Sequence, residues 1–292
     1  MLIHEKLNQR EHFTDIECHI ADYVLKQEEN LEKQSARSIA NVLYVSPSTV
    51  VRFFQKLGFQ GFNDFKNEYL KEAEYLSSHF QELNPNTPFH YHDKNIVVAH
   101  KMGQLYHEII DDTLSLIHHD DLQKAIDLIH QAKTVYICSA GVQNEIAYTF
   151  KDKLLKIGKD VVIEDKLDEA FYRATYCHQT DIFLIISYSG ETQNILKIAH
   201  KLKKRNIQFL AITTYGGNTL SQLTEHVLYV STREKLVNNI GNFSMNLSTL
   251  LLLDILYMNV FNTNFEKHFE SKVKVSHEYE KDRHSKNPIL QD

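Results

Sequence analysis

One stretch constrains the fold of this chain more than any other. The run Asp181-Ile182-Phe183-Leu184-Ile185-Ile186 is short, continuously apolar and rich in branched residues, as a strand buried on both faces must be. It passes directly into Ser187-Tyr188-Ser189-Gly190-Glu191-Thr192-Gln193 and then into Asn194–Lys204. There Ile195, Leu196, Ile198, Ala199 and Leu202 recur at helical spacing. A strand, a hydroxyl-rich turn and a helix in that order predict a parallel α/β unit. The turn has two readings. Its hydroxyls and free backbone N–H groups suit an anion, most simply a phosphate, or they merely cap the helix.

The same alternation extends on both sides. Thr134–Cys138, Asp160–Glu164, Asp181–Ser187, Gln208–Thr213 and His226–Ser231 read as strands between helical stretches, which predicts a doubly wound, five-stranded parallel sheet. Helices at about 94–117 and 119–132 precede it, and an apolar helix at about Asn242–Val260 follows, suited to pack on the sheet or on a second subunit. The first seventy-six residues instead read as helices alone. Thr14 opens one through Leu25, with Glu17 completing a capping box, and a second ends near Val42. Ser46-Pro47 opens a third that stops at Gly58, and Phe62–Leu76 forms a fourth. Asn84-Pro85-Asn86-Thr87-Pro88 holds two of the chain's four prolines and reads as a linker. The expected organisation is a helical domain at 1–77, a linker at 78–93, an α/β domain at 94–262 and a charged tail at 263–292.

Within the helical domain, Ser38–Phe54 fits a helix-turn-helix. Ala40 is small where two helices cross, Val45 plugs the turn, and Val50, Val51, Phe54 and Leu57 supply the buried face of the second helix. Its outward face carries Ser48, Thr49, Arg52, Gln55 and Lys56, groups that contact phosphates and base edges in a major groove. Ser46 and Arg37 lie on the same candidate surface. The whole chain carries a formal charge of −6, and residues 1–76 hold nine Lys and Arg against twelve Asp and Glu, so bulk charge makes no case for nucleic acid. The charge is instead patterned: Lys33–Asn63 includes Lys33, Arg37, Arg52 and Lys56 and no acidic residue. With so few cations, binding as a dimer to a two-part operator is expected. A helical dimerisation or protein-binding unit is the alternative.

Other classes find little support. Cys18, Cys138 and Cys177 are widely spaced, which suits a reducing cytoplasm and neither disulfides nor zinc. His90–His92 and His118-His119 lie in polar stretches and read as solvated side chains, so no metal or other cofactor is expected. The apolar run Leu250–Leu253 ends at Asp254, too short to span a membrane, and acidic residues interrupt any leader-like pattern at the start.

The run Val50–Lys66, with Ile20–Leu25 and Ser46–Thr49 before it, resembles the N-terminal domain of RpiR-type transcriptional regulators. The α/β domain resembles a sugar isomerase (SIS) domain, and the resemblance covers residues 1–262. It implies a regulator, not an enzyme, whose operator affinity responds to a phosphorylated sugar or amino sugar, assembled as a homodimer or homotetramer. Ser187, Ser189, Gly190 and Thr192 match the family's Ser-x-Ser-Gly-x-Thr phosphate loop, and Glu191 lies within it. The family's other ligand loop, Gly-x-Gly-x-Ser, here reads Ser139-Ala140-Gly141-Val142-Gln143-Asn144: Gly141 is kept, Ser139 replaces a glycine and Gln143 replaces the serine. The third loop, Thr213–Leu220, carries glycines where the family often has a proline. Met245-Asn246 stands where many members carry Ser-Arg. Glu145, Glu191 and Glu234 are the carboxylates from which an isomerase, the alternative activity for this fold, would draw a base, and each reads equally as a solvated residue at a helix start.

Overall fold

Ser46 and Pro47 fix the start of the helix at the centre of the first unit, and the rest of that unit packs around it. The computed structural model describes residues 3–10, 12–78, 83–281, 287 and 289. It divides into two compact units, residues 1–84 with 215–218 and residues 85–214 with 219–292. Residues 79–82 of the expected linker, and 282–286, 288 and 290–292 of the expected tail, lie outside the described residues.

The helical unit comprises α1 (Ile3–Asn8), α2 (Asp15–Gln27), a 3₁₀ segment (Glu28–Lys33), α3 (Ala36–Val42), α4 (Pro47–Lys56) and α5 (Phe62–Ser78). Side-chain caps open α2, α3 and α4. Thr14 and Glu17 exchange hydrogen bonds at the head of α2, with Thr14 N–H donating to Glu17 at 2.8 Å. Ser35 accepts from Ser38 N–H at 3.0 Å to open α3, and Ser46 accepts from Thr49 N–H at 3.1 Å to open α4. The buried Glu72 of α5 accepts the Ile3 and His4 N–H groups at 2.6 and 2.7 Å, which ties α1 to α5. Val50, Phe53 and Phe54 form the buried face of α4; Val51 and Leu57 are only half-buried, so Phe53 takes the core position expected of Val51. Phe54 stacks on Phe65 at 4.0 Å between ring centroids, and Phe53 meets Phe13 edge-on at 5.2 Å.

The second unit holds α6 (Asn95–Ser115), α7 (His119–Gln131), β1 (Thr134–Cys138), α8 (Gln143–Leu155), β2 (Asp160–Glu164), α9 (Leu167–Tyr176), β3 (Ile182–Ile186), α10 (Gln193–Lys204), β4 (Phe209–Thr214), β5 (Val227–Val230), α11 (Phe243–Asn262) and α12 (Phe265–Tyr279). The five strands are all parallel, in the order β2-β1-β3-β4-β5. Side chains alternate between two cores. Ile182, Leu184 and Ile186 face α7, α8 and α11, while Phe183 and Ile185 face α9 and α10. Burial on both sides explains why the strands read as unbroken apolar runs.

The helix α11 is long and apolar enough to cross a membrane by length and composition, with a mean hydropathy of 1.3. Here Leu252, Leu253, Leu256 and Val260 lie in the core against the sheet, so its hydropathy is that of a core helix. Winding outward from β1 to β2 and back to β3 opens a switch point between β1 and β3. In such sheets the crevice beyond the strands' C-terminal ends at that point is where ligands bind.

Candidate functional site

Two groups of residues carry the candidate chemistry, one in each unit. The first surrounds the start of α4. The Ser46 hydroxyl lies 2.8 Å from both the Ser48 and the Thr49 hydroxyls, so the three form one polar cluster at the helix head. Arg52, one turn on, is exposed and makes no ion pair among the described residues; Arg37 is likewise exposed on α3. The far end of α4 is differently engaged. Gln55 donates its amide to the Gln60 carbonyl at 3.3 Å. Lys56 donates to Glu17 at 2.8 and 3.0 Å and to the His12 carbonyl at 2.8 Å, with its ammonium 5.9 Å above the Phe13 ring. Burial pushes the Glu17 carboxyl up, but Lys56 and the Thr14 N–H outweigh it and hold the group below its ordinary value. Ser46, Ser48, Thr49 and Arg52 thus share one free surface, while Gln55 and Lys56 serve the unit's own packing.

The turn before α4 contains a residue that sequence reasoning missed. Val45 N–H donates to the Ala40 carbonyl at 2.9 Å, the six-to-one bond of a Schellman cap on α3. That cap needs a left-handed residue at position 44, and Tyr44 supplies it at φ 54° while standing 95% exposed. A non-glycine residue in this conformation costs about 1–2 kcal/mol.

The second group lies at the switch point, where Ser139–Val142 follows β1 and Ser187–Thr192 follows β3. Gly190 adopts φ 65°, and its N–H closes the turn on the Ser187 carbonyl at 3.1 Å. The Ser187 and Thr192 hydroxyls sit 3.4 Å apart, and the Ser189 hydroxyl accepts the Glu191 N–H at 3.2 Å. Thr192 occupies the N-cap of α10 yet makes no side-chain bond to that helix. The capping reading therefore does not account for these hydroxyls. An uncapped helix N-terminus with hydroxyls beside it is what an anion requires.

Glu191 does not oppose such an anion. Its carboxylate accepts the Thr219 N–H and hydroxyl, both at 2.8 Å, and is thereby held to the loop after β4. That loop braces the turn further. Leu220 N–H donates to the Gly190 carbonyl at 3.1 Å, and Thr213 and Thr214 donate to the Tyr188 carbonyl at 3.2 and 3.1 Å.

The β1 loop carries Ser139 and Gln143, the two departures from the family's ligand-loop pattern. Gly141 is left-handed at φ 66°, and the buried Ser139 donates to the Asn144 side chain. Gln143, only 1% exposed, donates its amide across to Asn246 of α11 at 2.9 Å, while its Oε1 is buried with no partner among the described residues. Sequence reasoning singled out both positions but gave no sign that they touch.

Glu234 caps α11. Its carboxylate accepts the N–H groups of Phe243, Ser244 and Met245 at 2.8, 2.9 and 3.4 Å, and Tyr188 donates its phenol to the Glu234 carbonyl at 2.9 Å. Burial pushes the carboxyl of Glu234 above its ordinary value against the pull of those N–H groups. The expectation of a solvated residue or a free base is corrected: Glu234 is a buried cap. A cavity of about 370 Å³ opens elsewhere, at Tyr136, Glu164, Tyr172, Arg173 and Asp181, and includes none of the switch-point residues. Its arginine is paired with Glu164 at 2.9 Å, and the carboxylates of Glu164, Glu169 and Asp181 outnumber that one guanidinium, the wrong sign for a phosphate.

Residues 1–78 match the family model described as a helix-turn-helix domain of the rpiR family, and residues 128–259 match the SIS domain. The chain belongs to the RpiR family. An HTH-type transcriptional regulator of Clostridium perfringens is 27% identical to this RpiR-family chain over 263 residues, covering 90% of it and 93% of the relative. The structure of the Vibrio vulnificus NanR protein complexed with ManNAc-6P resembles the RpiR-family chain with a TM-score of 0.62 at 22% identity, over 97% of this chain and 99% of that one. A structure from Bacteroides fragilis, described as that of a putative phosphosugar isomerase, matches with a TM-score of 0.50 at 20% identity, over 60% of this chain and 96% of that one. At these identities the structural likenesses establish the fold.

Proposed function

We propose that this RpiR-family chain is a DNA-binding transcriptional regulator of sugar or amino-sugar genes, whose operator affinity is set by a phosphosugar held at the switch point of the SIS domain. The observation that carries the reading is the Ser187–Thr192 turn: hydroxyls not used for capping, grouped at an open helix N-terminus. The phosphate would accept from the Ser187, Ser189 and Thr192 hydroxyls and from the N–H groups of the first turn of α10, with Gly190 and Glu191 shaping the turn around it. The β1 loop, with Ser139, Gly141, Gln143 and Asn144, would face the sugar. NanR, which carries ManNAc-6P in its structure, supports the ligand class.

Catalysis is not part of the proposal. Glu191 is bound to Thr219 and Glu234 to the head of α11, so neither is free to take a proton from a sugar carbon. The SIS fold also serves isomerases, and a sugar-phosphate isomerase remains the competing activity; turnover of any sugar phosphate by the pure protein would favour it. The operator surface we assign is Ser46, Ser48, Thr49, Arg52 and Arg37, with Gln55 and Lys56 at its edge. Because that surface offers few cations, two heads of a homodimer or homotetramer would share a two-part operator. Work on chromosomal DNA places the protein in the cytoplasm, where its three free cysteines stay reduced.

The test combines melting temperatures with a panel of sugar phosphates, each beside its unphosphorylated sugar, and operator binding of two variants. A ligand at a hundred times its Kd adds about 2.7 kcal/mol of stability. One phosphorylated sugar should raise the melting temperature of wild type and of Arg52→Ala but not of Ser189→Ala. Arg52→Ala should lose operator binding, by about 1–3 kcal/mol, and Ser189→Ala should keep it. A response to sugar that survives Ser189→Ala would move the effector site elsewhere, and normal operator binding by Arg52→Ala would reject the assigned helix.

A further inference from the structure

Tyr44 is strained in the backbone and unused in the fold. Its left-handed conformation is imposed by the Schellman cap that joins α3 to α4, a position glycine fills without strain. At 95% exposure its ring contributes nothing to the packed aromatic core beneath it. Strain that the fold does not use points outward, to something the residue touches in function. Its place is specific. Tyr44 precedes by two residues the Ser46 that heads α4, inside a segment, residues 33–63, that lacks any acidic side chain.

We propose that Tyr44 is a DNA contact: its phenol donates to a phosphate beside the groove that α4 enters, and its ring lies against the adjoining sugar. A helix-turn-helix places the N-terminal end of its second helix against base edges, which brings the turn before it close to the sugar–phosphate backbone. Tyrosine is one of the neutral donors that serve phosphates. The contact orients the helix and reads no base. The inference rests on the DNA-binding reading above.

Fluorescence anisotropy with two duplexes tests it, one selected by the wild type from a random pool and one of mixed sequence, alongside melting temperatures. Tyr44→Gly should melt higher than wild type, because glycine adopts this conformation freely, yet bind both duplexes about tenfold more weakly, the effect of one lost hydrogen bond to a charged group. Tyr44→Phe should lose most of that affinity with no gain in melting temperature. Because the phenol is neutral, the slope of log affinity against log salt should stay at its wild-type value in both variants, whereas Arg52→Ala should flatten it. Tyr44→Gly binding as tightly as wild type would overturn the proposal while leaving the DNA reading intact. Failure of the wild type to bind either duplex would overturn both.

Discussion

Gln143 and Asn246 are separated by more than a hundred positions and read independently as two departures from the family pattern. In the structure they form one hydrogen bond, the amide of Gln143 donating at 2.9 Å to Asn246 from a nearly inaccessible position. Each is therefore the reason the other is tolerated. Removing one partner leaves a buried polar group unsatisfied, at a cost of about 1–3 kcal/mol, while removing both deletes the demand as well as the supply. Asn246→Ala should accordingly destabilise the protein by about 1–3 kcal/mol in urea titration. Gln143→Ala/Asn246→Ala should be less destabilised than the sum of the two single changes. Strict additivity would mean the pair does not act as a unit. This coupling was hidden in the sequence because pairing across the sheet's end depends on how α8 and α11 converge, which no local pattern encodes. The turn at 187–192 between β3 and α10, by contrast, was legible as a turn, because its hydroxyls, glycine and flanking strand and helix are contiguous.

At the scale of elements, strands were placed to within about a residue because polar residues bound every apolar run. The starts of α2 and α4 were equally visible, since the Thr14 and Ser46 caps are short-range chemistry. Less visible was what holds one helix to another. Lys56 reads as an outward cation on the DNA face, yet it reaches Glu17 and so fastens the end of α4 to the head of α2. The lowered pKa of Glu17 sets the sign of a pH effect. A carboxylate held below its unfolded value, here the ordinary 4.5, stabilises the fold above that value and ceases to do so as pH falls through the folded value. Acidification from about pH 5 toward 3 should therefore weaken the helical unit, and Glu17→Gln should reduce that dependence. Lys56→Ala should mimic Glu17→Gln in this acid titration. If Lys56→Ala left the acid sensitivity unchanged, the ion pair would not be its source. The effect at neutral pH should be small, because Lys56 is half-exposed and water screens the pair.

For the whole molecule, the proposed phosphate site and the proposed operator surface belong to different compact units, so regulation through them would be a coupling free energy between two binding events. Such coupling is typically about 1–3 kcal/mol, or roughly 5- to 150-fold in affinity, and it is reciprocal. If the effector shifts the operator Kd by a given factor, saturation with operator must shift the effector Kd by the same factor. The family pattern in the sequence implied two sites, but a sign for the coupling is a property of two folded states and is written in neither motif. Calorimetric titration of the sugar phosphate into free protein and into operator-saturated protein gives one factor; operator titration with and without the sugar gives the other. The two should agree, and both should fall to one in Ser189→Ala, because that variant removes a hydroxyl the phosphate accepts from while leaving the operator surface untouched. A sugar that binds equally well with and without operator would be a passenger in the SIS domain and not the signal.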